Sequence, residues 1–387
     1  MDPCKKKNSR MAGEIRRILV TGANGFIGKN LVVRLNELPG FSVLTFVKGD
    51  DANHLPHLLA QADVVIHLAG ENRPVNETAF TTVNVDLTTA VCDAIRHEHA
   101  NSGRYIPLLL ASSTQALQNN PYGKSKLAAE QALHKLANET GNPCVIFRLP
   151  GVFGKWTKPN YNSVVATYCH NIARGHPITI HDAATQLRLV YIDDVATAFI
   201  KAIEETRAGC VQATVEPEYQ ITLGELARQI QAFSDSHSTL TTDRVGTGLI
   251  RALYATYISY LPSEKFLYSV PQYADSRGVF VEMLKTQDSG QFSYFTSHPG
   301  VTRGGHYHHS KTEKFLVIKG EAHFRFRHLL TNEFVEIKTN GSTPQVVDTI
   351  PGWSHDITNV GKEEMVVMIW ANEIFIRHLP DTVASKV

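Results

Sequence analysis

Apolar and polar positions change rhythm once along this chain, near residue 262. Arg17-Ile-Leu-Val-Thr21 is a short apolar run that stops at Gly22-Ala-Asn-Gly-Phe-Ile-Gly28, and residues 29–38 then carry the spacing of an amphipathic helix. Ser42–Val47 reads as a second strand, Asp63–Gly70 as a continuous apolar third and Pro107–Ser113 as a fourth, with a helix to His97 before it. Continuous apolar strands alternating with helices predict a doubly wound parallel sheet of Rossmann type, whose strand C-termini gather the chemistry. Phe147–Gly154 repeats the strand-to-loop pattern, and Thr222-Leu-Gly-Glu225 is a capping box opening helical sequence to Leu261, a substrate lobe. Composition shifts at Leu261–Pro271; beyond it short β runs alternate with turns, which predicts a separate all-β domain. The expected boundaries are a disordered extension over 1–14, a nucleotide-binding domain with its lobe over 15–262, a linker over 263–274 and the β domain over 275–387.

The first turn has the form needed to hold a dinucleotide. Glycines at 22, 25 and 28 permit a tight bend, close approach of amides to a pyrophosphate and close helix packing, while the helix N-terminus adds positive potential. Gly22, Asn24, Gly25, Phe26, Ile27 and Gly28, with Leu68, Ala69 and Gly70 after the third strand, are the candidate cofactor cradle. About 20 residues past the last glycine, an NAD site would place an acid on the ribose. Lys48 stands there instead and favours NADP; Asp50 and Asp51 close behind keep that preference modest.

Pro121-Tyr-Gly-Lys-Ser-Lys126 describes a reaction in six residues. Four-residue spacing on a helix stacks Tyr122 and Lys126 on one face, and a cation beside a phenol, which ordinarily titrates near ~10, favours the phenolate. Ser113 ends a strand just upstream. A hydroxyl to orient a substrate oxygen, a phenol to exchange a proton with it and a lysine to tune the phenol converge.

Composition adds mainly exclusions. With 387 residues and net charge +1 the chain is globular, without the basic excess of a nucleic-acid binder. No apolar run approaches the ~20 residues of a membrane helix, and Met1–Asn8 is basic without an apolar h-region, so a cytoplasmic protein is expected. Cys4, Cys92, Cys144, Cys169 and Cys210 are scattered and odd in number, as for structural thiols.

Thr21-Gly-x-x-Gly-x-x-Gly28, His67-Leu-Ala-Gly70, Asn84, Ser112-Ser113, Tyr122-Gly-x-Ser-Lys126 and Tyr191-Ile-Asp-Asp-Val195 together resemble the extended short-chain dehydrogenase/reductases that act on nucleotide-sugars. The resemblance covers residues 15–215. It implies hydride transfer between a nicotinamide, here NADPH, and a sugar carbon, with Tyr122 as acid/base, Lys126 as its modulator and Ser113 as hydroxyl partner. Asn84, Arg148, Lys155, Asn160, Asn162 and Arg188 are the candidate substrate groups; Lys155–Ser163 is dense in amides, cations and rings suited to a UDP-sugar. The loop from Ser113 to Tyr122 is much shorter than in typical relatives.

In the β domain, His306 and His308 point to one side of an extended strand and can share an ion. Glu313 and His355 complete a set suited to Zn, Fe, Ni or Mn, with Zn placed first. His-x-His, four residues, Glu, six residues, Gly, then Pro, His and Asn resembles a cupin; His309 and His323 are bystanders. Asp275–Glu282, Arg303-Gly-Gly-His306 and Lys314 also resemble the nucleotide-sugar 3,5-epimerases, themselves cupins. That family implies His306 as the base beside a ketone, Lys314 as the enolate-stabilising cation, and Arg277, Glu282 and Arg303 as substrate groups. The two templates give His306 incompatible roles, since a metal-bound nitrogen cannot also accept a proton.

Both domains together resemble the bifunctional capsular-polysaccharide enzymes of UDP-N-acetyl-L-fucosamine synthesis. The resemblance implies C3 epimerisation of a UDP-linked 4-keto-6-deoxy-N-acetylhexosamine by the cupin, then C4 reduction with NADPH, in a homodimer. Rival readings keep the reductase with a structural metal cupin, or make the chain a non-catalytic nucleotide-sugar or NADP sensor; a sensor has no need of Ser113, Tyr122 and Lys126 together.

Overall fold

Apolar runs that are buried on both faces build the first sheet. The computed structural model describes residues 15–73, 76–205, 207–270, 272–275, 278–281, 284–286, 290–373 and 378–387. The extension expected over 1–14, and Arg277 and Glu282, lie outside the described residues. Among them, six parallel strands run in the order Phe41–Phe46, Arg16–Thr21, Val64–His67, Leu108–Ser113, Cys144–Leu149 and Cys210–Ala213. Val64–His67 and Leu108–Ser113 are buried at every position, as continuous apolar strands of a covered parallel sheet should be. Leu19, Val65, Leu108 and Ile146 pack with Val91 and Ile95 of the Leu87–Ser102 helix and Leu133 and Leu136 of the Pro121–Thr140 helix.

The Pro121–Thr140 helix starts where sequence chemistry dictates. The Asn120 side chain accepts the Gly123 amide at 2.7 Å, Pro121 occupies the first turn, and Gly141 ends the helix at φ +75°. Tyr122 and Lys126 therefore sit in the first turns of a fixed helix. No described helix is long and apolar enough to cross a membrane.

The chain divides into two compact units that do not follow the sequence boundary near 262. One comprises residues up to Val152 with Ile192–Glu218, the other Phe153–Tyr191 with Tyr219–Val387. In the second, the lobe helices Leu223–Thr239 and Gly248–Ile258 pack on the β domain. His237 lies 3.1 Å from Asp348, Arg251 bonds Glu373 at 3.2 Å, and Asn372 donates to the Val245 carbonyl at 3.4 Å. The stretch expected as linker is built in as well: Leu267–Ser269 pairs with Gln345–Asp348, and buried Phe266 packs edge-on to Trp353, with ring centroids 5.2 Å apart.

Two five-stranded antiparallel sheets form the body of the β domain, as expected of a cupin sandwich. One orders Leu267–Ser269, Gln345–Asp348, Glu313–Lys319, Met365–Ala371 and Gln291–Ser297; the other Phe334–Asn340, Glu321–His328, Trp353–Asn359, Thr302–Tyr307 and Val383–Ala384. Phe315 of the first meets Phe324 of the second at 5.7 Å between ring centroids.

Candidate functional sites

In the first unit, strand ends and helix starts are clamped together by buried polar groups. Gly22 has φ +69°, and a Cβ there would lie 2.7 Å from the Ala69 nitrogen; a Cβ on Gly28 would lie 2.3 Å from the Gly22 carbonyl oxygen. Both close approaches need glycine. Behind them His67 bridges two hydroxyls, with Nδ1 2.6 Å from Thr21 Oγ1 and Nε2 2.9 Å from Thr88 Oγ1. Thr88 spends its proton on the Asn84 carbonyl at 2.8 Å, so His67 donates from Nε2 and accepts at Nδ1. Burial, helped by the Lys126 charge, lowers His67 to about 3 and keeps it neutral.

The structure brings Ser113 and Tyr122 together, close enough for the serine side chain to work against the rise of the phenol pKa, and Ser113 Oγ accepts the Gln115 amide at 3.1 Å. Lys126 Nζ donates to the Ala111 carbonyl at 3.1 Å and stands 5.9 Å from the Tyr122 ring centre. Gly70 makes room for it, since a Cβ there would lie 3.0 Å from Nζ. Burial lowers Lys126 to about 8 against the opposing pull of Glu130. Sequence spacing predicts a phenol tuned downward by Lys126; here burial pushes Tyr122 up, and the Ser113 side chain opposes it. The ammonium is aimed at a carbonyl rather than at the phenol oxygen.

Two anticipated substrate groups have partners inside the first unit. Asn84, in the π-helical turn Phe80–Asp86, accepts the Glu71 amide at 2.7 Å and donates to the Glu71 carbonyl and Ser125 Oγ, both at 2.9 Å. Arg148 grips Glu130 with Nε at 2.9 Å and NH2 at 2.5 Å, and Ser112 donates to the same carboxylate at 2.5 Å. Lys48 is exposed after the Phe41–Phe46 strand. In the second unit Lys155 is buried, with its ammonium 5.3 Å from the Trp156 ring, whereas Asn160, Asn162 and Arg188 are exposed.

The second centre lies in the β domain. His306, His308, Glu313 and His355 each offer a ligand atom, and all these atoms lie within 4.8 Å of one another. His308 Nε2 and His355 Nε2 stand 3.2 and 3.7 Å from Glu313 Oε2, while Lys311 Nζ holds Oε1 at 3.0 Å. Burial works to raise Glu313, but its imidazole neighbours and Lys311 hold it well below the ordinary carboxylate range. Burial, with His355 and His308 beside it, lowers His306 to about 3. Neither ring nitrogen of buried His355 has a well-formed hydrogen-bond partner. His308 Nδ1 bonds the Asp381 carbonyl, which only accepts, so Nδ1 carries a proton and Nε2 is the nitrogen that faces Glu313. Converging lone pairs and orphaned imidazole nitrogens fit a cation at their centre.

His306, Glu313 and His355 line a cavity of about 340 Å³ with Lys311, Arg303, Asp356 and Glu373, and with Phe295, Phe315 and Ile369 as its apolar wall. Arg303 stacks on Phe295 at 5.0 Å from its ring centre. Lys314 is not part of it, which corrects the expectation of an enolate-stabilising role. Successive residues of the Glu313–Lys319 strand face opposite ways. Glu313 faces the cavity, and Lys314 points to the other side, bonding Asp348 at 2.7 Å and the Tyr268 hydroxyl at 3.2 Å. Lys311 is the buried lysine in the cavity. Sequence reading missed it, as it missed Thr88, Glu130 and Asp381; strand parity at 313–314 was the available signal for excluding Lys314.

Known proteins match along nearly the whole chain. The NAD dependent epimerase/dehydratase family matches residues 18–215, and the polysaccharide biosynthesis C-terminal domain matches 273–383. UDP-2-acetamido-2,6-beta-L-arabino-hexul-4-ose reductase of Pseudomonas aeruginosa is 56% identical over 371 residues, 96% of this chain and 99% of that protein. The capsular polysaccharide assembling protein CapF of Staphylococcus aureus has a crystal structure with TM-score 0.63 and 39% identity, covering 96% of this chain and 100% of that one. UDP-glucose 4-epimerase of Mycolicibacterium smegmatis is 31% identical over 228 residues, 48% of this chain and 72% of its own.

Proposed function

Because this chain belongs to the NAD-dependent epimerase/dehydratase family and joins it to a polysaccharide-biosynthesis C-terminal domain, we propose that it processes a UDP-2-acetamido-2,6-dideoxy-4-hexulose in two steps. The β domain inverts C3, and the N-terminal domain then reduces the C4 ketone with NADPH. The observation that carries this reading is the near-full-length likeness to a UDP-4-ketose reductase, in a chain holding both a Ser113–Tyr122–Lys126 group and a cluster of four candidate ligands.

In the reduction, a nicotinamide held at the Gly22–Gly28 turn would supply the hydride for C4; the Tyr122 phenol is placed to give its proton to O4, and Ser113 to orient that oxygen. The high pKa of buried Tyr122 keeps the proton on until O4 becomes basic. Lys126, held on the Ala111 carbonyl, supplies positive potential beneath the site.

Epimerisation must come first, because the C3 hydrogen is acidic only while the neighbouring ketone exists. His306, His308, Glu313 and His355 are assigned to hold a divalent cation, Zn first among the candidates; when bound it supplies Lewis-acid polarisation of the ketone oxygen. His306 then belongs to the ligand set, and the C3 proton passes to another group of the wall, where Lys311, Asp356 and Glu373 are the remaining acids and bases. Arg303 at the cavity suits the diphosphate.

The test is incubation of the full chain with the UDP-4-ketose in D2O, first without and then with NADPH, following C3 by NMR. Deuterium entering C3 before cofactor is added, followed by NADPH oxidation, is expected. NADPH oxidation with C3 protium retained would remove the epimerase. Tyr122→Phe is expected to abolish NADPH oxidation while C3 exchange continues; loss of both would refute the division of labour.

A further inference from the structure

Beyond the ligand set itself, we propose that residues 381–385 form a positioning strap for the cation site, with Asp381 as its anchor. The inference rests on reading His306, His308, Glu313 and His355 as ligands. The loop 308–312 carries His308 between two strands and has no ladder of its own, so its buried amides need partners. A single carboxylate supplies three of them, and Asn372 Oδ1 takes the Thr312 amide. Asp381 Oδ1 accepts the His309 amide at 2.9 Å, and Oδ2 accepts the Ser310 and Lys311 amides, both at 2.7 Å, and the Ser310 hydroxyl at 3.1 Å.

The same residue orients the imidazole directly, because its main-chain oxygen accepts His308 Nδ1–H and turns Nε2 towards Glu313. The following residues continue the hold. Val383 and Ala384 pair with Tyr307 and His306, the Ser385 amide donates to the Gly305 carbonyl at 2.9 Å, and Ser354, beside His355, donates to the Ser385 carbonyl at 2.7 Å. Five consecutive residues thus touch the segments bearing three of the four ligands. An imidazole whose second nitrogen donates to a fixed acceptor is held in tautomer and in ring angle, and disturbing such supports typically weakens metal binding by 10–100-fold. Asp381 acts through His308 and the 309–311 turn, which makes it a positioning residue.

The experiment uses the full chain, titrated with Zn(II) against a chromophoric chelator and loaded with Co(II) for its visible spectrum. Asp381→Ala should raise the Zn(II) Kd about 10–100-fold and change the Co(II) bands, whereas Leu379→Ala, at a 76% exposed neighbour, should change neither. Wild-type Kd and Co(II) spectrum in Asp381→Ala would overturn the strap and leave the cation site standing. Failure of the wild-type protein to bind one equivalent of either ion would overturn the cation reading, and the strap with it. A measurement independent of variant folding is 15N-histidine NMR of the Zn(II)-loaded wild type. His308 should carry its proton on Nδ1 and the metal on Nε2, and the reverse assignment would overturn the proposal.

Discussion

Lys314→Met separates a catalytic lysine from a structural one. Lys314 and Asp348 are 1% and 3% exposed, and their charged atoms are 2.7 Å apart. Removing one partner of a buried pair strands the other charge, which costs about 3–5 kcal/mol. For a unit of this size each kcal/mol moves the midpoint by about 2–4 °C, so Lys314→Met should melt roughly 6–20 °C early. Adding Asp348→Asn removes the stranded charge and keeps a polar partner for His237, so the double variant should recover most of that loss. Scanning calorimetry gives the stability, and deuterium uptake at C3 gives the chemistry, which should persist in the double variant. A single variant with wild-type stability would refute the energetics. A double variant that is stable but exchanges no proton would put Lys314 back among the reacting groups.

Three further outcomes follow from the first unit. Lys126 sits at about 8 rather than 10.5, and its ammonium is the working form, so kcat/KM for reduction should fall as pH rises through about 8. For stability the sign is opposite: burying the ammonium is unfavourable below pH 8, and that cost is relieved as pH rises towards 10.5. A flat profile to pH 10 would refute this account. Gly28→Ala places a methyl 2.3 Å from a backbone oxygen, pries the helix off the turn and should raise the NADPH Kd at least ~10-fold; an unchanged fluorescence titration would refute it. His67→Leu leaves Thr88 its bond to the Asn84 carbonyl but strands the Thr21 hydroxyl proton, at about 1–3 kcal/mol, measured by urea unfolding, and a wild-type midpoint would refute the clamp.

The sequence was most informative where backbone geometry or fixed spacing left one solution. Gly22 and Gly28 are dictated by close approach, Tyr122 and Lys126 by helical spacing, and His306 and His308 by strand parity. It was least informative where a side chain finds its partner far along the chain. Asn84 is taken up by Glu71 and Ser125, and Arg148 by Glu130, none of which spacing could pair. For Lys314 family likeness and strand parity point in opposite directions, and the structure places its ammonium on Asp348. The raised Tyr122 pKa depends on burial, which no local pattern encodes.

The packing of the lobe helices on the β domain bears on how such a chain can be taken apart. Val245, Arg251 and His237 belong by sequence to the reductase half, yet their partners Asn372, Glu373 and Asp348 belong to the other. A gene cut at residues 263–274 would leave a guanidinium without its carboxylate on one fragment and a buried aspartate without its imidazole on the other. The two halves are therefore not interchangeable cassettes: a β domain transplanted from a relative must bring matching residues at 348, 372 and 373, and substitutions on either side of that seam are expected to be inherited together.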